Sequence, residues 1–379
     1  MLGSQPRVLL DATAIPRDRG GVGRYVDGLV AGLAEVGADR RMVVACHPTD
    51  GHLLSGLAPN AEIVPIASAA RGRGPRLVWE QVALAPLARK AAVDVIHSPH
   101  YTHPLATSAP LVVTLHDATF FTMPEVHTRL KRSFFRAWTR RAVDRANALV
   151  TVSATTRREV LREVGGDPSR FVVARLGVDP QVFHPPSDSE VTLFRRRHGL
   201  GTSPWVAFLG TLEPRKNVPA LIRAWSLAVA GRRDPPALVL AGSRGWDTEV
   251  DSALREVPDG LRAMAVGYLP VEELAPLLGG AEVVVFPSLG EGFGLPVVEA
   301  MSCGSVVLTT PRLSLPEVGG DAVAYSEPTV PGLRAALSRL LDDAEQRSAL
   351  AVTARQRAAQ FTWGTCAEDH LRAYRLAAT

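Results

Sequence analysis

Cysteine is scarce in this 379-residue chain: Cys46, Cys303 and Cys366 lie far apart and form no C-x-x-C pair. That excludes a disulfide framework and a thiolate zinc site, and it fits a reducing cytosol. Lysine is scarcer than arginine, with Lys90, Lys131 and Lys216 the only lysines among 42 basic residues. No apolar run approaches the ~20 residues a membrane-spanning helix needs, and the uncharged stretch Ser98 to His116 is broken by prolines and histidines. The N-terminus lacks a basic region followed by an apolar run, so no secretory signal is expected.

What is present is ordinary for a soluble globular protein: 46% hydrophobic and 21% charged residues. The length is comfortable for two domains of roughly 180 residues each. A net charge of +4 hides an asymmetry. Residues 1–185 carry 23 basic and 16 acidic side chains, and residues 186–379 carry 19 and 22. A basic first half suits an anionic partner, such as a phospholipid surface or a phosphorylated acceptor. No aromatic-basic interleaving of the nucleic-acid-binding kind is seen, so nucleic acid is not expected.

Short apolar runs alternate with helix-length amphipathic segments, the pattern of parallel α/β sheets. Strands are expected near Val8–Ala12, Met42–Cys46, Glu62–Ile66, Val93–His97, Leu111–Leu115, Ala148–Val152 and Phe171–Ala174. In the second half they are expected near Trp205–Leu209, Ala237–Ala241, Arg262–Val266, Glu282–Phe286, Val306–Thr309 and Ala322–Tyr325. The proline-rich segment 176–190 reads as a linker, giving domains 1–180 and 181–360 and a last amphipathic helix in 361–379 that packs back towards the N-terminal domain. Two doubly wound Rossmann-like sheets facing a cleft would bind ligands there, at the carboxyl ends of the strands.

The strongest signal is PSLGEGFGLPVVEAMSCG, residues 287–304. A strand ends at Pro287-Ser288, a glycine-rich loop follows, and Pro296 opens a helix where its missing N–H costs nothing. Loop amides and the helix N-terminus make a seat for anionic or hydroxyl-rich ligands. Glu291 lies in the loop, Glu299 in the helix, and Gly292 and Gly294 let backbone come close to a ligand. A helix-capping role for both acids is the bland alternative. This E-G-F-G-x-x-x-x-E pattern resembles the E-x7-E signature of the family-4 retaining glycosyltransferases, which have the GT-B fold. The resemblance implies that Glu291 approaches the donor sugar's hydroxyls and Glu299 the nucleotide ribose diol, with Ser288, Phe293 and Leu295 around them.

GTLEPRKN, residues 210–217, follows a strand and precedes a helix. Adjacent cations there would stabilise a leaving diphosphate. The resemblance assigns Arg215 and Lys216 to that duty, although relatives often carry another Arg where this chain has Thr211. DRGGVGRY, residues 18–25, places Gly20, Gly21 and Gly23 before a helix expected to begin near Val22. It is either a tight turn or a set of amides for donor phosphate or acceptor. A dinucleotide reading wants an acid after the second strand, where this chain has Cys46-His47-Pro48. His116-Asp117 closes a buried strand. The resemblance makes His116 a contact to the sugar near the reacting carbon, oriented by Asp117, with His100 and Tyr101 as acceptor candidates beside His97 and His103.

No histidine group has metal-ligand spacing and no D-x-D motif occurs, so neither a metal nor a cofactor is expected; the nucleotide sugar is a substrate. The helix candidate 129–146 carries Arg129, Arg132, Arg136 and Arg140 on one stripe, with Phe134, Phe135 and Trp138 as apolar bulk. The resemblance implies peripheral membrane contact, at the inner face of the plasma membrane, or a lipid-phosphate acceptor; the bland reading, aromatics packed inward and arginines in water, stands equally. The expectation is therefore a cytoplasmic, metal-independent, retaining hexosyltransferase. Its GTLEPRKN segment most resembles users of GDP-mannose, and its acceptor would be a saccharide or a lipid-linked hydroxyl. UDP-glucose, UDP-N-acetylglucosamine and deoxysugar donors stay open, as do a small-molecule acceptor, a sugar-nucleotide epimerase and a non-catalytic sensor. Base recognition would fall to loops such as 241–243 and 267–269. A glycosidase carboxylate pair accounts less well for the adjoining cations.

Overall fold

The computed structural model describes residues 5–15, 19–67 and 72–379, so Asp18 of the glycine motif lies outside the described residues. The chain divides into two compact units, Met1–Gly177 with Thr362–Thr379, and Val178–Phe361. The boundaries thus fall at the start of the proline-rich segment and just before the last helix. A capping box at Ser187 and Glu190 begins helix Asp188–Arg197 within the stretch read as linker.

The first unit is built on a seven-stranded sheet of β1 (Val8–Asp11), β2 (Met42–Cys46), β3 (Glu62–Pro65), β4 (Val95–Ser98), β5 (Leu111–Leu115), β6 (Ala148–Thr151) and β7 (Phe171–Val173). The second holds β8 (Trp205–Leu209), β9 (Ala237–Ala241), β10 (Ala263–Gly267), β11 (Val283–Phe286), β12 (Val307–Thr309) and β13 (Ala324–Tyr325). All pairings are parallel, in the orders β3-β2-β1-β4-β5-β6-β7 and β10-β9-β8-β11-β12-β13. Helices cover both faces, which is why β1, β2, β5 and β8 are apolar along almost their whole length and fully buried. In each sheet the order in which strands are added reverses once, between β1 and β4 and between β8 and β11. The carboxyl ends beside such a reversal are where open α/β sheets bind ligands.

The last helix, Trp363–Ala378, belongs to the first unit and packs on helix Gly20–Glu35. Glycine makes that approach possible. A Cβ on Gly28 would lie 2.0 Å from the Trp363 ring, and one on Gly32 would lie 2.2 Å from its carbonyl oxygen. The helix over 129–146 is present as Arg129–Arg145. Phe135 stacks on Phe120 at 4.5 Å within the core, while Arg136 and Arg140 both lie over Phe121. Arg136 also donates to the Phe120 carbonyl at 2.6 Å. Two of the four stripe arginines are therefore engaged with protein, whereas Arg129 and Leu130 are exposed. Among the described residues no helix is long and apolar enough to cross a membrane.

Candidate functional site

In the second unit the chain after β8 and the chain after β11 are stitched together. Pro214–Lys216 forms one 3-10 turn, closed by Asn217 in the left-handed region at φ 55°. The Asn217 side-chain amide donates to the carbonyls of Pro287 (3.2 Å) and Pro328 (2.9 Å). The Leu289 N–H donates to the Arg215 carbonyl at 2.9 Å. Beside this turn a Cβ on Gly242 would meet the Gly210 carbonyl oxygen at 2.1 Å, so only glycine lets the loops after β8 and β9 cross.

This stitching brings Arg215 and Lys216 onto Glu291. Lys216 Nζ donates to Glu291 Oε1 at 2.6 Å, and Arg215 Nη1 pairs with Oε2. Arg215 Nη1 also donates to the Gly290 carbonyl at 2.8 Å, and Nη2 to Glu213 Oε1 at 2.5 Å. Burial works to raise the Glu291 carboxyl, but the charges of Arg215 and Lys216 outweigh it, and bonds from Lys216 and Ser288 add to them. The group is held at about 2.

The loop from Pro287 is braced from below. Thr310 donates to the Ser288 carbonyl at 2.6 Å, and the Ser314 hydroxyl lies 2.7 and 2.8 Å from the Glu291 and Phe293 carbonyl oxygens. Gly294, at φ 100°, caps helix Leu295–Ser302, with Pro296 in its first turn. Phe293 and Leu295 are buried as packing for the loop, Phe293 edge-on to Phe361, while Gly292 is partly open. Glu299 is buried on the helix one turn further on. Three carboxylates (Glu213, Glu291 and Glu299), two cations and the amides of a helix N-terminus thus share one strand-end corner, suited to a ligand with both phosphates and hydroxyls.

In the first unit the glycines are placed differently from expectation. Gly20, Gly21 and Gly23 form the first turn of helix Gly20–Glu35 instead of a loop before Val22. Gly20 and Gly21 have open space where a side chain would be, and a Cβ on Gly23 would be 2.6 Å from that of Arg19. Arg19 anchors the turn by donating to Asp27 (2.6 Å) and Asp50 (2.8 Å).

His116 follows β5 directly. Its Nε2 lies 2.7 Å from the Pro99 carbonyl, an obligatory acceptor, so Nε2 carries the proton and Nδ1 is left as an acceptor. Pro99, not Asp117, therefore orients the ring. Asp117 instead accepts from the N–H (3.0 Å) and hydroxyl (2.7 Å) of Thr119. Tyr101 is buried, and its hydroxyl accepts from the Asp117 N–H (2.8 Å) and donates to the Asp117 carbonyl (3.1 Å). Both bonds brace the Asp117 backbone. His100 packs against both Tyr101 and His116, and burial pushes its imidazole down to about 3.

Beneath His116 runs a hydrogen-bond chain with no local sequence signal. His370 Nδ1 lies 2.7 Å from the Cys366 carbonyl, so Nδ1 donates and Nε2 accepts. Tyr25 then donates to His370 (2.8 Å) and accepts from Thr114 (2.8 Å). Having donated, Thr114 accepts from His97 Nε2 (2.9 Å), and His97 Nδ1 accepts from Tyr374 (2.9 Å). Each proton is used once, provided both imidazoles are neutral. Burial secures this, holding His370 at about 4 and His97 well below its ordinary value. The Tyr25 ring stands edge-on to His116, centroids 4.9 Å apart. Among the described residues no group of three or more His, Cys, Asp or Glu is arranged to hold a metal ion.

Residues 19–182 match the family described as Glycosyltransferase Family 4, and residues 191–357 the family described as Glycosyl transferases group 1. The chain is 33% identical over 286 residues to O-antigen chain mannosyltransferase B of Escherichia coli, covering 74% of each. It is 31% identical over 258 residues to a D-inositol 3-phosphate glycosyltransferase of Kineococcus radiotolerans, covering 62% of this chain and 58% of that one. Among solved structures, sucrose-phosphate synthase from Thermosynechococcus elongatus is similar with a TM-score of 0.79 at 20% identity, over 97% of this chain and 98% of that one. Anabaena HepE in complex with UDP and glucose is similar with a TM-score of 0.74 at 19% identity, over 97% and 98%.

Proposed function

Since this chain belongs to the family-4-type glycosyltransferases and has their GT-B fold, we propose that it is a retaining, metal-independent hexosyltransferase. Its favoured donor is GDP-mannose and its acceptor a hydroxyl of a saccharide or a lipid-linked sugar. The observation that carries this reading is the meeting of Lys216 and Arg215 with Glu291 beside the helix at Leu295. The likeness to a mannosyltransferase over three quarters of the chain supports mannose. A second reading, a small-molecule acceptor, draws on the relative that is a D-inositol 3-phosphate glycosyltransferase.

In this reading Lys216, Arg215 and the amides at Leu295 stabilise the departing diphosphate. Glu291 accepts from sugar hydroxyls, Glu299 from the ribose diol, and His116 Nδ1 from a hydroxyl near the reacting carbon. The Gly20–Gly23 turn offers further amides to phosphate or acceptor. The anomeric C–O bond to phosphate breaks through an oxocarbenium-like state, and the acceptor oxygen bonds to that carbon on the face the phosphate leaves. The acceptor's proton passes to the leaving phosphate oxygen, so no protein base is required. The enzyme acts in the cytoplasm, with the surface around Arg129 and Leu130 available to a lipid-linked acceptor.

The test is incubation with labelled GDP-mannose, UDP-glucose and UDP-N-acetylglucosamine, with and without mannoside acceptors, and proton NMR of the product. GDP-mannose should be hydrolysed slowly alone, and should give a product of the donor's own anomeric configuration when an acceptor is present. An inverted product would refute the retaining course. Turnover of a UDP-sugar alone would refute the mannose assignment.

A further inference from the structure

The ion-pair knot around Glu291 has a consequence for which ligands can enter. Arg215 is pinned: it gives protons to Gly290, Glu213 and Glu291, and its own carbonyl is held by Leu289. Lys216 is different, because its Nζ carries three protons and, among the described residues, gives one of them to Glu291. The formal charges of Glu213, Arg215, Lys216 and Glu291 cancel, and all four side chains are largely buried. Adding a diphosphate, with two or more negative charges, to a net-neutral and largely buried knot is unfavourable while the carboxylate stays on the lysine.

We propose that Glu291 is a placeholder: in the empty enzyme its carboxylate occupies the cations that a diphosphate needs, and only a ligand carrying a sugar draws it away. The inference rests on the donor-site reading above. Sugar hydroxyls are donors, so a nucleotide sugar gives Glu291 new bonds to replace those it surrenders. A bare nucleoside diphosphate has phosphates for Lys216 but nothing for Glu291 at the sugar's place. The same residue therefore favours the sugar-bearing donor over the product that remains after transfer. Its return to Lys216 helps expel that product.

Glu291→Gln removes the charge and keeps the shape. Calorimetry with inorganic pyrophosphate, GDP and GDP-mannose on both proteins tests the idea. Pyrophosphate and GDP should bind the variant about tenfold more tightly or better, because a charge-assisted competitor has gone. GDP-mannose should gain less than GDP, so the preference for the sugar-bearing ligand shrinks. Glu213→Gln changes the net charge equally without touching Lys216, and should give a clearly smaller gain. Equal, weaker or undetectable pyrophosphate binding in Glu291→Gln overturns the placeholder, as does an equal gain in Glu213→Gln. Should Glu291→Gln not fold, Lys216→Met, which removes the contested cation, must abolish pyrophosphate binding, and retained binding overturns the idea. Tighter pyrophosphate in the Gln variant, with no nucleotide sugar turned over by the parent enzyme, would sink the donor-site reading and leave the placeholder standing. Turnover of GDP-mannose with unchanged pyrophosphate affinity would do the reverse.

Discussion

Two buried polar clusters, one in each unit, are held in opposite electrical states. In the first, Tyr374, His97, Thr114, Tyr25 and His370 donate hydrogen bonds one way along a chain of neutral groups. In the second, a buried carboxylate is held ionised between two cations. Both arrangements satisfy groups that burial would otherwise penalise, one by matching each donor to an acceptor and the other by matching charge to charge. Acid breaks the first by charging an imidazole, and the second only at much lower pH, by neutralising the carboxylate.

Acid is accordingly the strongest way to separate them. His103 and His370 are pushed down to about 4 and His100 to about 3, with burial the largest cause in each. A histidine depressed in the folded state binds its proton later than in the unfolded chain. Its contribution is complete above an unfolded value of ~6.5 and falls as pH drops towards the folded value. Between pH 7 and pH 5 each such histidine should withdraw up to about 2 kcal/mol, several together more. Glu291 responds with the same sign but in a lower window: its stabilisation is present above the ordinary glutamate value and is lost as pH falls from there towards about 2, so pH 5 leaves it intact. Segment-resolved hydrogen exchange at pH 7 and pH 5 should show strands β4 and β5 and the last helix loosening while β8 and β11 hold. Equal loosening of both would erase the contrast.

Steric change comes next. Gly28→Ala puts a methyl into the Trp363 ring and should cost roughly 1–3 kcal/mol, read as a lower melting temperature and faster exchange in the last helix. Smaller still is Tyr25→Phe. It leaves His370 Nε2 without its donor and Thr114 without its acceptor, costing about 1–2 kcal/mol. A ¹⁵N spectrum of labelled histidines checks the chain directly, since His97 should carry its proton on Nε2 and His370 on Nδ1. The reverse tautomers would contradict the assigned direction.

Both sheets were legible in the sequence because a parallel strand covered on both faces is an apolar run with turn residues at each end. The structure places a strand at each of the thirteen segments expected, four with the same bounds and the others within one or two residues of them. The glycine-rich loop and the cations of the second unit were legible because their neighbours in sequence carry the motif. Glu213 lay inside that motif, but its hold on Arg215 depends on a turn that spacing alone does not define. The chain beneath His116 was not legible. Its bonds join Tyr25 to His370, 345 positions apart, and His97 to Tyr374, 277 apart. An isolated tyrosine or histidine on an amphipathic helix carries no mark of such a partner. The role expected for Asp117 failed for a related reason, since the nearest polar group in sequence was not the one the fold turned towards the ring.

Lys216→Ala tests the central claim most directly, with kcat/KM for the preferred nucleotide sugar measured beside the melting curve. The account predicts a fall of ~10²–10³ or more in transfer from a protein that still folds but melts at a lower temperature, because one preorganised cation at the departing phosphate is gone and Glu291 loses one of its two partners. Near-normal kcat/KM in a folded Lys216→Ala protein would contradict it.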